Sequence, residues 1–232
     1  MIFAAGLGTR LYPLTAHKPK ALVKINGETL LATAIQKMID ANIHDIVINV
    51  HHYSGLIKEY LQQHSFHAQI SVSDETAKLL DTAGGLKFAE PLLQGADHIL
   101  LYNVDILSNI NLAELVNNHI EQENLATLAV RDRSTSRYFL FDKNTKQLGG
   151  WENVKTGEQK IVYPMENPVA LAFSGIHIVQ HKILDFIPMG EVLSMTPLYL
   201  SLALQHPIRY YLHQQDTWMD VGKYEEVRHC AE

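Results

Sequence analysis

The sequence predicts an α/β fold: a single domain built on a mostly parallel mixed sheet flanked by helices. Three observations carry that expectation. Apolar runs of strand length alternate with helix-period segments through the first half of the chain. The run at 45–50, DIVINV, is β-branched and apolar, as a strand buried on both faces of a parallel sheet should be. The 232 residues, 47% hydrophobic and 19% charged, contain no Ser/Pro-rich linker, repeat or low-complexity stretch that would divide them.

Taken in order, residues 1–5 form a short apolar strand that runs directly into glycines. This strand has almost no lead-in, and so short a start is expected to fray. Residues 30–42 place Leu31, Ala34, Ile35, Met38 and Ile39 on one helical face. After the strand at 45–50, Ser54 caps a helix that reaches His64, and 69–73 form the next strand. A helix over 84–93, a buried strand over 98–106 and a helix over 112–123 capped by Asn111 complete the first half, 1–125. From Ala126 the rhythm changes. Strand-like runs ATLAV, YFLFD, KIVY, ALAFSGIHIV and IRYYLH follow closely, with helices expected only around Ile183 and over 198–204. The half 126–232 is expected to extend the same sheet and raise a second wall over it.

Bulk properties exclude several classes. A net charge of -6 argues against a general nucleic-acid binder. One cysteine, Cys230, excludes a disulfide framework and a cysteine metal cluster, and no catalytic part is assigned to it. No apolar run approaches the ~20 residues of a membrane span, and the start, MIFAAGLGTR, is too short in apolar residues for a signal peptide. A cytoplasmic protein without a membrane partner is expected. His51 and His52 are adjacent and point to opposite faces of a strand, and no His-Glu-x-x-His pattern occurs, so zinc is not expected.

The most informative segment is AAGLGTRLYPLTAHKPK, from Ala4 to Lys20. Gly6 and Gly8 follow a strand, where glycine lets successive backbone N–H groups approach an anion. Thr9 and Arg10 add a hydroxyl and a guanidinium suited to polyphosphate. Arg10, Lys18, Lys20 and Lys24 are cationic, and no Asp or Glu precedes Glu28. An ordinary glycine turn with solvated lysines would share the glycines; the acid-free basic run beside them favours an anion site. Pro13 and Pro19 stiffen the loop that carries Lys20. Leu11 stands where a third glycine would complete G-x-G-x-x-G, and no Walker loop is present, so dinucleotide binding is disfavoured.

The run G-x-G-T-R-x-x-P-x-T over 6–15, followed by Pro19–Lys20, resembles the signature of sugar-phosphate nucleotidyltransferases. That resemblance implies a Rossmann-like sheet of the nucleotidyltransferase and glycosyltransferase-A kind, a nucleoside triphosphate and a sugar 1-phosphate as substrates, and Mg²⁺ as cofactor. It extends to two carboxylates. Asp105 ends an apolar strand, with Val104 where the family carries glycine, and Asp220 lies in W-x-D-x-G at 218–222. Each alone could be a turn or cap residue; together with the loop they are the expected Mg²⁺ ligands. Arg10 and Lys20 are the expected catalytic cations. Nucleotide contacts are expected from Ala4, Ala5, Gly6, Gly8, Thr9, Arg10, Lys20, Thr82, Gly84, Gly85 and Asn103. For Thr82, Gly84 and Gly85 a plain helix N-terminus capped by Asp81 or Thr82 remains the alternative. Glu75 and Asn49 are further expected neighbours of the base. Ser174 and Gly175 are the expected sugar contacts, because glycine within a strand often marks a bulge or a close approach; the family's frequent asparagine is Phe173 here.

Within the family the F-S-G-I and W-x-D-V-G stretches and the compact length most resemble N-acetylmuramate 1-phosphate uridylyltransferases of peptidoglycan recycling. Mannose 1-phosphate guanylyltransferases are the alternative, and a non-catalytic nucleotide-sugar sensor and a glycosyltransferase are the rivals from other classes. The nucleobase, the sugar and the oligomeric state are left open by the sequence.

Overall fold

The computed structural model describes residues 1–222; Cys230 lies outside them. The chain opens with β1 (Ile2–Phe3), then β2 (Lys24–Ile25), β3 (Glu28–Thr29), α1 (Leu30–Asp40), β4 (Asp45–Val50), α2 (Ser54–Gln63), β5 (Gln69–Asp74), α3 (Asp81–Phe88), β6 (His98–Asn103), β7 (Ile106–Ser108) and α4 (Leu112–Glu121). The second half contributes β8 (Ala126–Arg131), β9 (Arg137–Asp142), β10 (Leu148–Asn153), β11 (Glu158–Ile161), β12 (Pro168–Gln180), α5 (Met195–Leu202), β13 (Ile208–Leu212) and β14 (Trp218–Asp220).

The expected α/β architecture is what these elements form. One ten-stranded mixed sheet runs β11-β10-β9-β12-β6-β1-β4-β5, with β8 and β13 joined beside β12. Strands β6, β1, β4 and β5 are parallel to one another, as their βαβ connections require, and β12 enters antiparallel to β6, β8 and β9. Neighbouring residues on a strand serve different cores. Ile2 and Ile48 belong to one apolar cluster, Phe3 and Val47 to the other, so the two clusters lie on opposite faces of the sheet.

Local chemistry sets the element ends. Thr29 accepts from Ala32 N and starts α1, whose Leu31, Ala34, Ile35 and Met38 are buried as the periodicity requires. Asn111 accepts from Ala113 N and Glu114 N at the start of α4. Other boundaries moved. Ser54 does not cap α2; Tyr53, with φ 56°, precedes it without a side-chain cap. The helix expected at 84–93 is α3, which starts three residues earlier and stops at Phe88, and Pro91 sits in a short 3-10 turn beyond it. The segment around Ile183 is a 3-10 helix. The strand expected at 98–106 breaks after Asn103, which puts Val104 and Asp105 in a turn before β7. Met1 is buried and its ammonium donates to Leu100 O at 2.5 Å, so the first strand starts inside the sheet; burial lowers that amine to a pKa of about 5. No helix among the described residues is long and apolar enough to cross a membrane.

Candidate active site

The loop after β1, the end of β6 and the bulged middle of β12 converge on two adjoining cavities. One, of about 410 Å³, is lined by Ala5, Gly6, Arg10, Lys20, Thr82 and Asn103 among others. The second, of about 690 Å³, includes Arg133, Ser174, Gly175, Trp218 and Asp220. Arg10, Asn103 and Asp105 line both, so the cavities meet at these three residues. Both volumes fall in the ~300–1,000 Å³ range of small-ligand sites.

The loop's shape follows from its sequence. Gly8 takes φ 67° and precedes a 3-10 turn, Thr9–Leu11, anchored by buried Leu11. Thr15 Oγ1 donates to Gly8 O at 2.9 Å and closes the loop. Arg10 is carried on that turn. Lys20 begins a second 3-10 turn after extended Pro19, and its Nζ lies 2.5 Å from Asp105 Oδ2. Ala4 N is already used, donating to Asn49 O and Oδ1, and Thr9 is exposed outside both cavities.

The two carboxylates are joined by strand pairing. β14 runs antiparallel to β7, with Asp220 opposite Ile106, and Val221 N donates to Asp105 O at 2.9 Å. This places Asp105 and Asp220 around Gly222. A Cβ on Gly222 would lie 2.7 Å from Asp220 Oδ1, 2.9 Å from Asp105 Oδ2 and 3.0 Å from Arg10 Nη2. Burial, and then the nearby Asp105 charge, raise the pKa of Asp220, with Gly222 N–H, Arg10 and Lys20 pulling against them. Two carboxylates facing one small volume form a hard-oxygen donor pair for a divalent cation, and their mutual repulsion fits that role. Among the described residues no group of three or more His, Cys, Asp or Glu is arranged around a metal position. The pair alone suits Mg²⁺, which commonly takes one or two carboxylates and completes its shell with water and substrate phosphate.

Several expected residues sit differently from a direct ligand contact. Thr82 lines the smaller cavity, and its Oγ1 accepts from Met195 N at 2.9 Å. Gly84 and Gly85 are buried and turned toward protein. A Cβ on Gly84 would meet Glu191 O at 2.3 Å, and one on Gly85 would meet Glu75 Oε1 at 2.4 Å. Glu75 accepts from Asn49 Nδ2 at 2.6 Å and Leu80 N at 3.1 Å, while burial pushes its pKa up. Ser174 lines the larger cavity, but its fully buried hydroxyl is hydrogen-bonded to His213 Nε2 at 2.7 Å. Gly175, with φ 75°, sits at the register shift of β12, where a Cβ would strike Ile106 and Asn103 Nδ2.

Residues without an expected role also shape the site. Trp218 Nε1 donates to Ser174 O at 2.9 Å, and Arg133 lies over the Trp218 ring with its Cζ 4.2 Å from the centroid. Arg131 donates to the carbonyls of His213, Gln214 and Asp216 and holds the turn leading to β14. Three-residue strands give almost no periodic signal, so only the W-x-D-x-G run pointed here.

A family model described as Nucleotidyl transferase matches residues 1–231. The chain is 28% identical to the N-acetylmuramate alpha-1-phosphate uridylyltransferase of Caulobacter vibrioides, covering 96% of this chain and 90% of that protein. It is 27% identical to the mannose-1-phosphate guanylyltransferase catalytic subunit beta of Dictyostelium discoideum, covering 96% of this chain but 60% of that longer protein. Among solved structures, UDP-glucose pyrophosphorylase from Acinetobacter baumanii superposes with a TM-score of 0.79 at 17% identity, covering 99% of this chain and 90% of the other. HddC of Yersinia pseudotuberculosis complexed with GMP-PN gives 0.75 at 16% identity, covering 99% and 96%. At such identities these structures are evidence of the shared fold.

Proposed function

Because the chain belongs to the nucleotidyl transferase family, we propose that it joins a nucleoside triphosphate to a sugar 1-phosphate, giving a nucleotide sugar and pyrophosphate. The observation that carries this reading is the convergence of Arg10, Asp105 and Asp220 on the space beside Gly222, with Lys20 paired to Asp105. UTP and N-acetylmuramate 1-phosphate are the proposed substrates, because a relative of that activity aligns along nearly its whole length. Similarity to the mannose-1-phosphate guanylyltransferases supports GTP and mannose 1-phosphate as the alternative. In this reading residues 1–125 hold the nucleotide and 126–232 the sugar, in a cytoplasmic enzyme.

The chemistry is attack by a sugar-phosphate oxygen on the α-phosphorus, with pyrophosphate leaving in line. A phosphomonoester has a second pKa near ~6 and is nucleophilic at neutral pH, so no strong general base is needed. What the reaction needs is the approach of two anions. Lys20, in the smaller cavity and paired to Asp105 where the cavities meet, draws both reacting phosphates together. Arg10 stabilises the charge growing on the departing β,γ-phosphates. Gly6 leaves room for backbone next to phosphate, its Cβ position being 3.9 Å from Lys20 Nζ. Asp105 and Asp220 would hold Mg²⁺, which supplies charge neutralisation on the triphosphate when bound. A nucleotide-sugar sensor would not need this set of charges.

The test is pyrophosphate release with Mg²⁺, using UTP, GTP, CTP and dTTP against a panel of sugar 1-phosphates. Release that requires one nucleotide and one sugar phosphate is expected. Nucleotide binding without release from any pair would replace the enzyme with the sensor.

A further inference from the structure

Lys20 has two partners within reach. Its Nζ lies 2.5 Å from Asp105 Oδ2 and 3.9 Å from the position a Cβ on Gly6 would take, between a carboxylate and the anion loop. The backbone beneath it is fixed, because Leu22 N donates to Pro19 O and Val23 N to Lys20 O, both at 3.0 Å. Asp105 is fixed as well, with Val221 N donating to its carbonyl and Val104 N to Phe3 O. The four-carbon stem of the lysine lets its ammonium change partner by side-chain rotation while both backbones stay in place.

The oxygen that Lys20 holds is the one that faces Asp220. The position of a Cβ on Gly222 is 2.9 Å from Asp105 Oδ2 and 2.7 Å from Asp220 Oδ1, and neither carboxylate has its other oxygen as near. A divalent cation shared by the two carboxylates would use these oxygens, so the cation and Lys20 seek the same atom. Both side chains of the ion pair are largely buried, Lys20 being 15% and Asp105 10% exposed. A charge at that depth is costly to leave without a partner. Asp105 therefore gives up Lys20 only against another cation, and Lys20 leaves only for another anion.

We infer that Lys20 holds the place of the divalent cation on Asp105, and that the cation, by taking Oδ2, releases Lys20 to the phosphates. This rests on the proposed reaction and deepens it, because metal binding becomes the event that arms the lysine. The carboxylate keeps a cationic partner throughout. The ammonium is delivered to the side of the anion loop, where two phosphates have to meet.

The test measures Mn²⁺ binding to the full chain by water-proton relaxation, without nucleotide or sugar phosphate, Mn²⁺ being an oxygen-seeking stand-in for Mg²⁺. Lys20→Met should bind Mn²⁺ about tenfold or more tighter than the wild type, because a charge-assisted hydrogen bond no longer has to be broken. Its turnover should fall at the same time, whereas loss of a merely structural lysine would weaken both. Arg10→Met separates occupancy of the oxygen from the general field. It also removes a positive charge beside the carboxylates, and its gain in affinity should be clearly smaller. Lys20→Gln, read in the same way, takes over if urea denaturation shows that Lys20→Met does not fold. Unchanged or weaker binding in the lysine variants, an equal gain in Arg10→Met, or no Mn²⁺ binding by any chain would overturn the inference. Tighter binding in Lys20→Met without pyrophosphate release from the wild type would sustain the exchange and remove the reaction. Pyrophosphate release with Mn²⁺ affinity unchanged in Lys20→Met would do the reverse.

Discussion

Gly222→Ala is the sharpest perturbation of the charged centre, because it adds one methyl group and removes no charge. The new Cβ would stand 2.7 Å from Asp220 Oδ1, 2.9 Å from Asp105 Oδ2 and 3.0 Å from Arg10 Nη2. Ordinary contact begins near 3.4 Å, so the three groups must give way by 0.7, 0.5 and 0.4 Å. Aspartate side chains are short, and Gly222 N also donates to Asp220 Oδ1 at 2.8 Å, so the movement cannot be absorbed far from the reacting phosphates. A misplacement of ~1 Å in a positioned site costs on the order of 10²-fold in rate. About half that displacement predicts a fall in kcat of about tenfold, with a stability cost of ~1–3 kcal/mol from overpacking. Pyrophosphate release at saturating substrates measures the first, and urea denaturation the second. Gly55→Ala is the control. It lies inside α2 with nothing within 4 Å of a new Cβ, and it should gain ~0.5–1 kcal/mol of stability with kcat unchanged. A folded Gly222→Ala enzyme with wild-type kcat would refute the convergence of Asp105, Asp220 and Arg10 as the basis of activity.

Three other outcomes follow from the same geometry. Lys20→Ala should lower turnover by ~10²–10³, in the range seen when a preorganised donor to developing charge is removed; retained pyrophosphate release would exclude Lys20 from the reaction. Gly84→Ala should destabilise the fold by ~1–3 kcal/mol, because its Cβ would meet Glu191 O at 2.3 Å and Leu80 Cβ at 2.9 Å; an unshifted urea midpoint would contradict that packing. Stability should also fall as pH drops below 6.5. Burial lowers His119 and His213 to about 4 and His177 to about 3, so over this window the unfolded chain binds protons that the folded chain refuses. Each contributes a slope of ~1.4 kcal/mol per pH unit between its unfolded and folded pKa. Glu75 and Asp220, with raised pKa values, act in the opposite sense toward the acidic end. Equal unfolding midpoints at pH 7 and pH 5.5 would sink the argument for these histidines.

Long apolar and periodic segments were legible in the sequence. DIVINV is β4 with the bounds its composition implies, and the apolar stripe of 30–42 is the buried face of α1. The two-, three- and six-residue strands β2, β3, β7, β10 and β14 were not expected as separate strands. Short strands have too few residues for alternation to register, and Gly149–Gly150 lower the strand propensity of β10. Those glycines are explained by packing: a Cβ on Gly149 would strike Met165, and one on Gly150 would meet Lys160 O at 2.8 Å. Such contacts lie far apart in sequence and leave no local pattern.

The same distinction separates the parts of the site. Arg10 and Lys20 lie in one run where glycines, prolines and the absence of acids together suggest an anion site. Asp105 and Asp220 are 115 residues apart, and the link between them is the β7–β14 ladder, whose Asp220–Ile106 register cannot be read from either segment alone. Arg133 and Trp218 are a further case. Trp218 opens the W-x-D-x-G run but Arg133 stands in no distinctive pattern, and the backbone carbonyls of Phe173 and Ser174, from the bulged part of β12, hold both. Through Asn103, which lines both cavities, the bulge at Gly175 bears on each of them. It leaves room for Asn103 and Ile106, and the carbonyls of Phe173 and Ser174 beside it hold Arg133 and Trp218. Gly175→Ala should therefore lower both stability and pyrophosphate release, because its Cβ would stand 2.8 Å from Ile106 Cγ1 and 3.0 Å from Asn103 Nδ2.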